Sequence, residues 1–277
     1  MFFHQSYYSR FILSIPVILV FLAIGSLYYC YVFGFLLILP IEIAIAPSIL
    51  FHFTLFLLLW SYIICITTDP GTIPDSFQFT QTESLDPDSV NQDDIKAAKI
   101  TTCEKCNLKR PPRTHHCSQC DRCILRMDHH CPWVGNCVGF KNHRFFIQFL
   151  VYAACSTLNL GFSCLAGIKE LNWENNATVF IGCIVGFSFS VSIGSLAIFH
   201  IYLATSNKTT LEIDFDKKFN VFDTQSIKSN CSQLFGHNII GILLPLKTGY
   251  GGNGIAYPVR LRSLIGEPLL IKDNLVE

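Results

Sequence analysis

The stretch FILSIPVILVFLAIGSLYYCYV, residues 11–32, carries no charged side chain across twenty-two positions. A helix needs about 20 apolar residues to cross the roughly 30 Å of hydrocarbon in a bilayer, where no water can satisfy backbone groups. Working outward, the only formally charged residue between Arg10 and Asp69 is Glu42, and two further charge-free runs cover residues 145–168 and 177–204. These runs predict four membrane-spanning helices, near 11–32, 47–67, 145–168 and 177–204, with a turn around Pro40 and Glu42 between the first two. The first run is too long for the apolar core of a signal peptide and has no basic segment before it, so it is expected to be retained. Only 14% of the 277 residues are charged and 51% are apolar, which excludes a simple soluble globule. A net charge of zero gives no support to nucleic-acid binding, and no nucleic-acid partner is expected.

Basic residues report orientation, because loops rich in Lys and Arg stay in the cytosol. Of the twenty, Arg10 precedes the first run, ten lie in 69–144, eight follow Ala204, and only Lys169 falls elsewhere. Both termini and the central loop are therefore expected on the cytosolic side. The sequon Asn176-Ala177-Thr178 falls in the second lumenal loop, so close to a helix that glycosylation is not expected. The chain thus divides into 1–68 (cytosolic N-terminus and two helices), 69–144 (linker and cysteine-rich region, core 101–144), 145–204 (two helices) and 205–277 (cytosolic tail). Residues 80–94, acidic and polar, read as a linker.

Seven of the thirteen cysteines lie between 103 and 137, as Cys103-x2-Cys106-x9-His116-Cys117-x2-Cys120-x2-Cys123-x6-His130-Cys131-x5-Cys137. In a reducing compartment such a cluster reads as metal binding or catalysis, and two CxxC pairs are the usual start of tetrahedral zinc sites. Two zinc ions with three cysteines and one histidine each would consume six cysteines and leave one. Asp128, His129 and His130 immediately precede Cys131, and a histidine oriented by a carboxylate is what a thiol needs to become a nucleophile. Adjacent residues do not ordinarily converge without a sharp backbone bend. The residues alone leave two readings, a nucleophilic Cys131 or a purely structural zinc module that recruits partners. A ring-type ubiquitin ligase is disfavoured because its further CxxC pair is missing.

Asp128-His129-His130-Cys131, set within RPPRTHHC (110–117), PWVGNCVG (132–139) and Asn142-x3-Phe146, resembles the DHHC-type protein S-acyltransferases, the palmitoyltransferases. Asp69-Pro70-Gly71 after the second helix and Thr209-Thr210-Leu211-Glu212 after the fourth match that family's DPG and TTxE motifs, and residues 230–236 (NCSQLFG) loosely resemble its C-terminal asparagine-and-aromatic element. The resemblance implies an all-α polytopic membrane protein with a cytosolic zinc-binding region of short β-hairpins between helices two and three. It implies two structural zinc ions, one held by Cys103, Cys106, His116 and Cys123, the other by Cys117, Cys120, His130 and Cys137. Cys131 would be the nucleophile, His129 its base, Asp128 the partner orienting that base, and Thr210 the support of Asp128. Trp133, Phe146 and Asn142 match positions around the acyl-CoA co-substrate, the first two near the thioester and the last as a structural polar group. The implied activity moves a palmitoyl group from acyl-CoA, through an acyl-enzyme, to membrane-proximal cytosolic cysteines of substrate proteins, in a Golgi or endoplasmic reticulum membrane. Arg110, Arg113, Arg122, Arg126, Lys141 and Arg144 are candidates for the phosphates of CoA. Small residues such as Ala153 and Ser156 either leave depth for the acyl chain or simply pack helices.

Overall fold

A computed structural model of the protein describes residues 14–75, 77, 100–168, 177–213, 220–247, 249–261 and 269–271. Arg10, the linker 80–94 and Asn176 of the sequon lie outside the described residues. Among the described residues, four helices are long and apolar enough to cross a membrane. Helix α1 covers Ile15–Tyr31, with a proline in its first turn where the missing N–H costs nothing, and runs on through a π turn, Val32–Leu36. Helix α2 covers Ile41–Thr67, α3 His143–Ile168 and α4 Ala177–Thr205.

The second helix starts six residues before the predicted 47. Pro40 provides the N-terminal cap, and Pro47 sits inside α2, where it removes only the N–H that would have reached Ile43. Glu42 then falls in the first turn of α2, at the positive end of the helix dipole. Helices α3 and α4 meet through glycines. A Cβ on Gly186 would lie 2.6 Å from the backbone N of Gly161, and one on Gly182 would lie 2.7 Å from Cys164 Sγ. Such close approach is how helices associate in lipid, where no hydrophobic effect drives them together. Ser156 both packs and lines: its hydroxyl donates to Thr54 Oγ1 at 3.0 Å, and with Leu27, Phe51 and Leu55 it walls an apolar cleft between α1, α2 and α3.

Between α2 and α3 stand three two-stranded antiparallel hairpins: β1 (Thr101–Cys103) with β2 (Leu108–Arg110), β3 (His115–Cys117) with β4 (Arg122–Ile124), and β5 (His129–Cys131) with β6 (Asn136–Val138). The DPG turn fastens them to the end of α2. Asp69 accepts from Gly71 N (2.8 Å) and from Arg122 (2.7 Å), Gly71 O takes Leu125 N–H, and Pro70 O takes Lys141 N–H. Gly71 has φ +107°, open to glycine and little else. Gly139 is required by space, because a Cβ there would meet Ile124 Cγ2 at 2.7 Å and Pro70 O at 2.9 Å. Gly139→Ala is accordingly expected to destabilise the junction by about 1–3 kcal/mol, read as a lower thermal midpoint of the solubilised protein.

The tail is not featureless. It carries helices α5 (Ile227–Phe235) and α6 (Ile239–Leu243) and a fourth hairpin, β7 (Val259–Leu261) with β8 (Leu269–Ile271), none of which the sequence reading anticipated. Asn230, buried in α5, donates to Thr205 O at the end of α4 (2.8 Å) and to Asp223 (2.7 Å), and accepts from Thr224. That network ties the tail to the last spanning helix.

Candidate active site and metal centres

Strand alternation sorts the DHHC residues. Successive side chains on a strand point to opposite faces, so His129 and Cys131 share one face of β5 and His130 takes the other. No sharp bend is needed for these two. The register sets His130 opposite Cys137, and in the neighbouring hairpin His116 opposite Cys123. Each cross-strand pair belongs to one four-residue group. Cys103, Cys106, His116 and Cys123 form the first, and Cys117, Cys120, His130 and Cys137 the second, with ligand atoms in each group within 4.8 Å of one another.

A zinc ion about 2.3 Å from sulfur and 2.0 Å from nitrogen would hold tetrahedral neighbours about 3.5–3.8 Å apart. His130 Nδ1 lies 3.7 Å from Cys117 Sγ, 3.4 Å from Cys120 Sγ and 3.5 Å from Cys137 Sγ, while His116 Nδ1 lies 3.2 Å from Cys106 Sγ. In both CxxC turns a backbone N–H faces sulfur, Cys106 N to Cys103 Sγ at 3.5 Å and Cys120 N to Cys117 Sγ at 3.4 Å. These are the contacts that stabilise thiolates, and the donor sets fit a tetrahedral metal ion. Cys131 belongs to neither group.

Cys131 is instead buried among residues of all four spanning helices, including Val17, Tyr62, Cys65, Phe146, Leu150 and Ala197. Its neighbour His129 is hydrogen-bonded to the thiol, and His129 Nδ1 lies 2.7 Å from Asp128 Oδ2, which leaves Nε2 for the sulfur. Asp128 is fully buried. It accepts from Thr210 twice, from the backbone N–H at 3.0 Å and from the hydroxyl. Burial would raise the Asp128 carboxyl, but the histidines around it, His143 foremost, and the bonds from His129 and Thr210 hold it well below the usual carboxylate range. Burial likewise opposes a charge on His129, yet the bonds to Asp128 and Cys131 and the nearby negative charge outweigh it and raise the imidazole to about 9.

Thr210 is held in place from a distance by Arg113. Its guanidinium meets Glu212 with two bonds of 2.7 and 2.8 Å, donates to Asn207 Oδ1 and O at 3.0 Å each, and stacks over the rings of Phe222 (4.4 Å) and Tyr257 (4.9 Å). Glu212 in turn accepts from Thr209 N–H at 2.9 Å. Arg113 is therefore not a phosphate contact, and neither are the buried Arg126 and Arg144. Arg126 donates to His143 Nδ1 (3.1 Å), and Arg144 reaches the carbonyls of Leu246 and Gly249. Arg122 is engaged by Asp69, Arg110 donates to Thr101 (3.1 Å), and Lys141 is exposed. The charge count alone could not separate these roles, because a buried and an exposed arginine look alike in a sequence.

Because Arg113 offers a two-bond fork, Arg113→Lys is expected to keep the charge but loosen Thr210. A drop of roughly 5- to 50-fold in turnover, with zinc content unchanged, would report it.

Phe146 is buried, its ring 5.2 Å from that of His129. Trp133 lies on the 3-10 turn Pro132–Val134 just after Cys131; its side chain is 56% exposed and its carbonyl accepts from Tyr62 OH at 2.8 Å. Asn142 is enclosed, bonded to Gly139 N, Cys137 O and Cys65 O. Two histidines, His143 and His200, are buried behind the site. His143 Nε2 lies 3.3 Å from His200 Nδ1, and the His200 ring is 5.1 Å from Phe146 and 5.9 Å from His129. With Asp128 they form a third close group, beside which the Arg126 guanidinium disfavours a cation. A histidine in a charge-free run was the available signal, since titratable groups within spanning helices are kept at a cost.

Comparison with known proteins agrees with this arrangement. The family model described as DHHC palmitoyltransferase matches residues 96–216. The chain is similar to Probable protein S-acyltransferase 13 of Arabidopsis thaliana, 34% identical over 259 residues, covering 85% of each chain. It is also similar to Palmitoyltransferase ZDHHC15 of Rattus norvegicus, 32% identical over 296 residues (94% of this chain, 86% of the relative), and to that of Homo sapiens, 30% identical over the same shares. The chain belongs to the DHHC palmitoyltransferase family.

Proposed function

We propose that this protein is a protein S-acyltransferase that moves a palmitoyl group from acyl-CoA to cysteines of substrate proteins by way of an acyl-enzyme on Cys131. The observation that carries the reading is the separation of Cys131 from both four-ligand groups, on the strand face it shares with His129.

In the first step His129, whose protonated form is favoured, holds the proton from Cys131 on Nε2 while the Cys131 sulfur attacks the thioester carbonyl. The carbon–sulfur bond to CoA breaks, and the CoA thiolate recovers the proton from His129. In the second step a substrate cysteine passes its proton to His129 and attacks the acyl-enzyme, and Cys131 leaves as a thiolate to be reprotonated. One thioester replaces another each time, so the enzyme supplies rate and position. Asp128 fixes the tautomer and ring plane of His129 and stabilises its positive form, with Thr210 as its support. Two structural zinc ions, each with four protein ligands, hold the hairpins and leave no coordination position for substrate.

The apolar surroundings of Cys131 suit a long chain, each buried methylene of which contributes about 0.8 kcal/mol. Phe146, and Trp133 beside Cys131, bound the space where the thioester would lie, Asn142 braces the start of α3, and Lys141 and Arg110 remain for the CoA phosphates. The segregation of basic residues supports cytosolic termini and a cytosolic cysteine-rich region, and the family's usual address supports a Golgi or endoplasmic reticulum membrane. Its substrates would be proteins whose cytosolic cysteines lie close to that membrane.

The test is transfer of labelled palmitoyl from palmitoyl-CoA to the purified protein in vesicles, and on to a substrate peptide. Asp128→Asn is expected to slow both transfers by about 10²–10⁴-fold. Undiminished transfer in that variant would refute the role given to Asp128, and absence of labelling in the wild type would refute the proposed activity.

A further inference from the structure

Helix α6 lies beside α3, at a depth that the contacts among the spanning helices fix. Near one end of α3, Asn142 reaches Cys65 O on α2 and His143 meets His200 on α4; deeper down, Ser156 reaches Thr54 and Ser190 reaches Ala154 O. Gln148 and Tyr152 fall between these two levels. Nearer the cysteine-rich region than they are, α2 still exposes Ile63, and α4 exposes Ile198, Ile201 and Tyr202. If the helices cross a bilayer, those side chains face hydrocarbon, and so does whatever packs at the level of Gln148 and Tyr152.

What packs there is α6. Gln148 Nε2, with two hydrogens to share, lies within hydrogen-bond distance of the carbonyls of Gly241 (3.1 Å), Ile242 (2.9 Å) and Leu244 (3.1 Å), and Tyr152 OH donates to that of Leu243. The last four carbonyls of a helix have no partner within it. On a water-exposed tail they would be hydrated, whereas in lipid each must find a protein donor. Here the carbonyls of Gly241, Ile242 and Leu243 are met by two side chains of a spanning helix, that of Ile240 keeps its backbone partner Leu244 N–H at 2.7 Å, and Asn238 caps the other end through Ile240 N at 2.9 Å. Facing away from the protein are Ile239, Ile240 and Leu243, respectively 70%, 50% and 61% exposed. Exposed His237 and Lys247 bracket the apolar turn, as polar groups do where a segment enters and leaves an interface.

We propose that Ile239–Leu243 is a re-entrant anchor inserted into the hydrocarbon of the leaflet on the cysteine-rich side, so that the tail is held by lipid as well as by α3 and α4. This departs from the sequence expectation of a wholly aqueous tail. Its partner is the acyl region of a phospholipid bilayer.

The full chain in phosphatidylcholine vesicles, irradiated with a membrane-partitioned aryl diazirine and mapped by peptide mass spectrometry, tests it. Labelling of Ile239, Ile240 and Leu243 is expected within about twofold per residue of that on Ile198 and Ile201, with Ile227, 68% exposed on α5, at least tenfold lower. Labelling of α6 at the level of Ile227 would overturn the proposal. Gln148→Leu removes the donor that faces three carbonyls and is expected to cut α6 labelling at least fivefold while that of α4 persists. Unchanged α6 labelling in that variant would count against the carbonyl-capping argument, and the wild-type comparison decides alone if the variant fails to fold.

Discussion

Cys131→Ser is expected to reduce palmitoyl transfer by on the order of 10³-fold or more and to abolish the labelled acyl-enzyme, with zinc content and thermal midpoint close to those of the wild type. Sulfur and oxygen are nearly isosteric, Cys131 is in neither ligand group, and its burial is among apolar side chains that a hydroxyl does not clash with. What changes is chemistry. A serine hydroxyl is a far weaker acid than a thiol, so His129 would have to withdraw a much less acidic proton, and any oxyester formed would exchange poorly with a substrate thiol. Cys65, fully buried in the same cluster, provides the control: Cys65→Ala removes a neighbouring sulfur and is expected to leave transfer within about threefold. If Cys131→Ser still carried label at the wild-type rate, the nucleophile would lie elsewhere. If Cys65→Ala abolished labelling and Cys131→Ser did not, Cys65 would be the candidate.

The spanning helices were legible because lipid admits only one simple solution for a charge-free run. Three of them match the predicted runs to within a few residues, and the α2 boundary moved because a proline near a helix start removes one N–H without ending the helix. The ligand groups were legible because CxxC spacing is a local signal, and strand register completes it by setting His116 opposite Cys123 and His130 opposite Cys137. What stayed hidden depends on contacts distant in sequence. Arg113 and Glu212 are 99 residues apart, and nothing local to either reveals the pair. His143 and His200, 57 apart, read as unremarkable until two helices bring them together. Helix α6 escaped notice because five apolar residues are too few to register as a membrane segment, and only the donors on α3 show where they sit.

Removal of zinc is expected to have the other large effect: loss of both metal ions, protease sensitivity confined to residues 101–144, and loss of transfer, with helix content largely retained. The three hairpins have strands of three residues each, too short to stand alone in water. Among the described residues the buried cluster that joins the second and third hairpins is small, Cys117, Cys120, Ile124, Met127 and Cys137, and three of those five are proposed ligands. Structural zinc supplies about 10–16 kcal/mol per site in comparable small modules, more than such a core can replace. Without metal, a group of thiols closed to within 4.8 Å would spread, and β5, which carries both His130 and Cys131, would lose its register. Cys137→Ala, which opens the second group alone, is expected to lower zinc from two ions per chain toward one and to cut transfer at least 10²-fold. Cys103→Ala acts on the hairpin farthest in sequence from Cys131 and is expected to do less. Metal content well below two per folded wild-type chain, or transfer that survives complete chelation, would refute the zinc assignment while leaving the nucleophile assignment standing on the Cys131→Ser result.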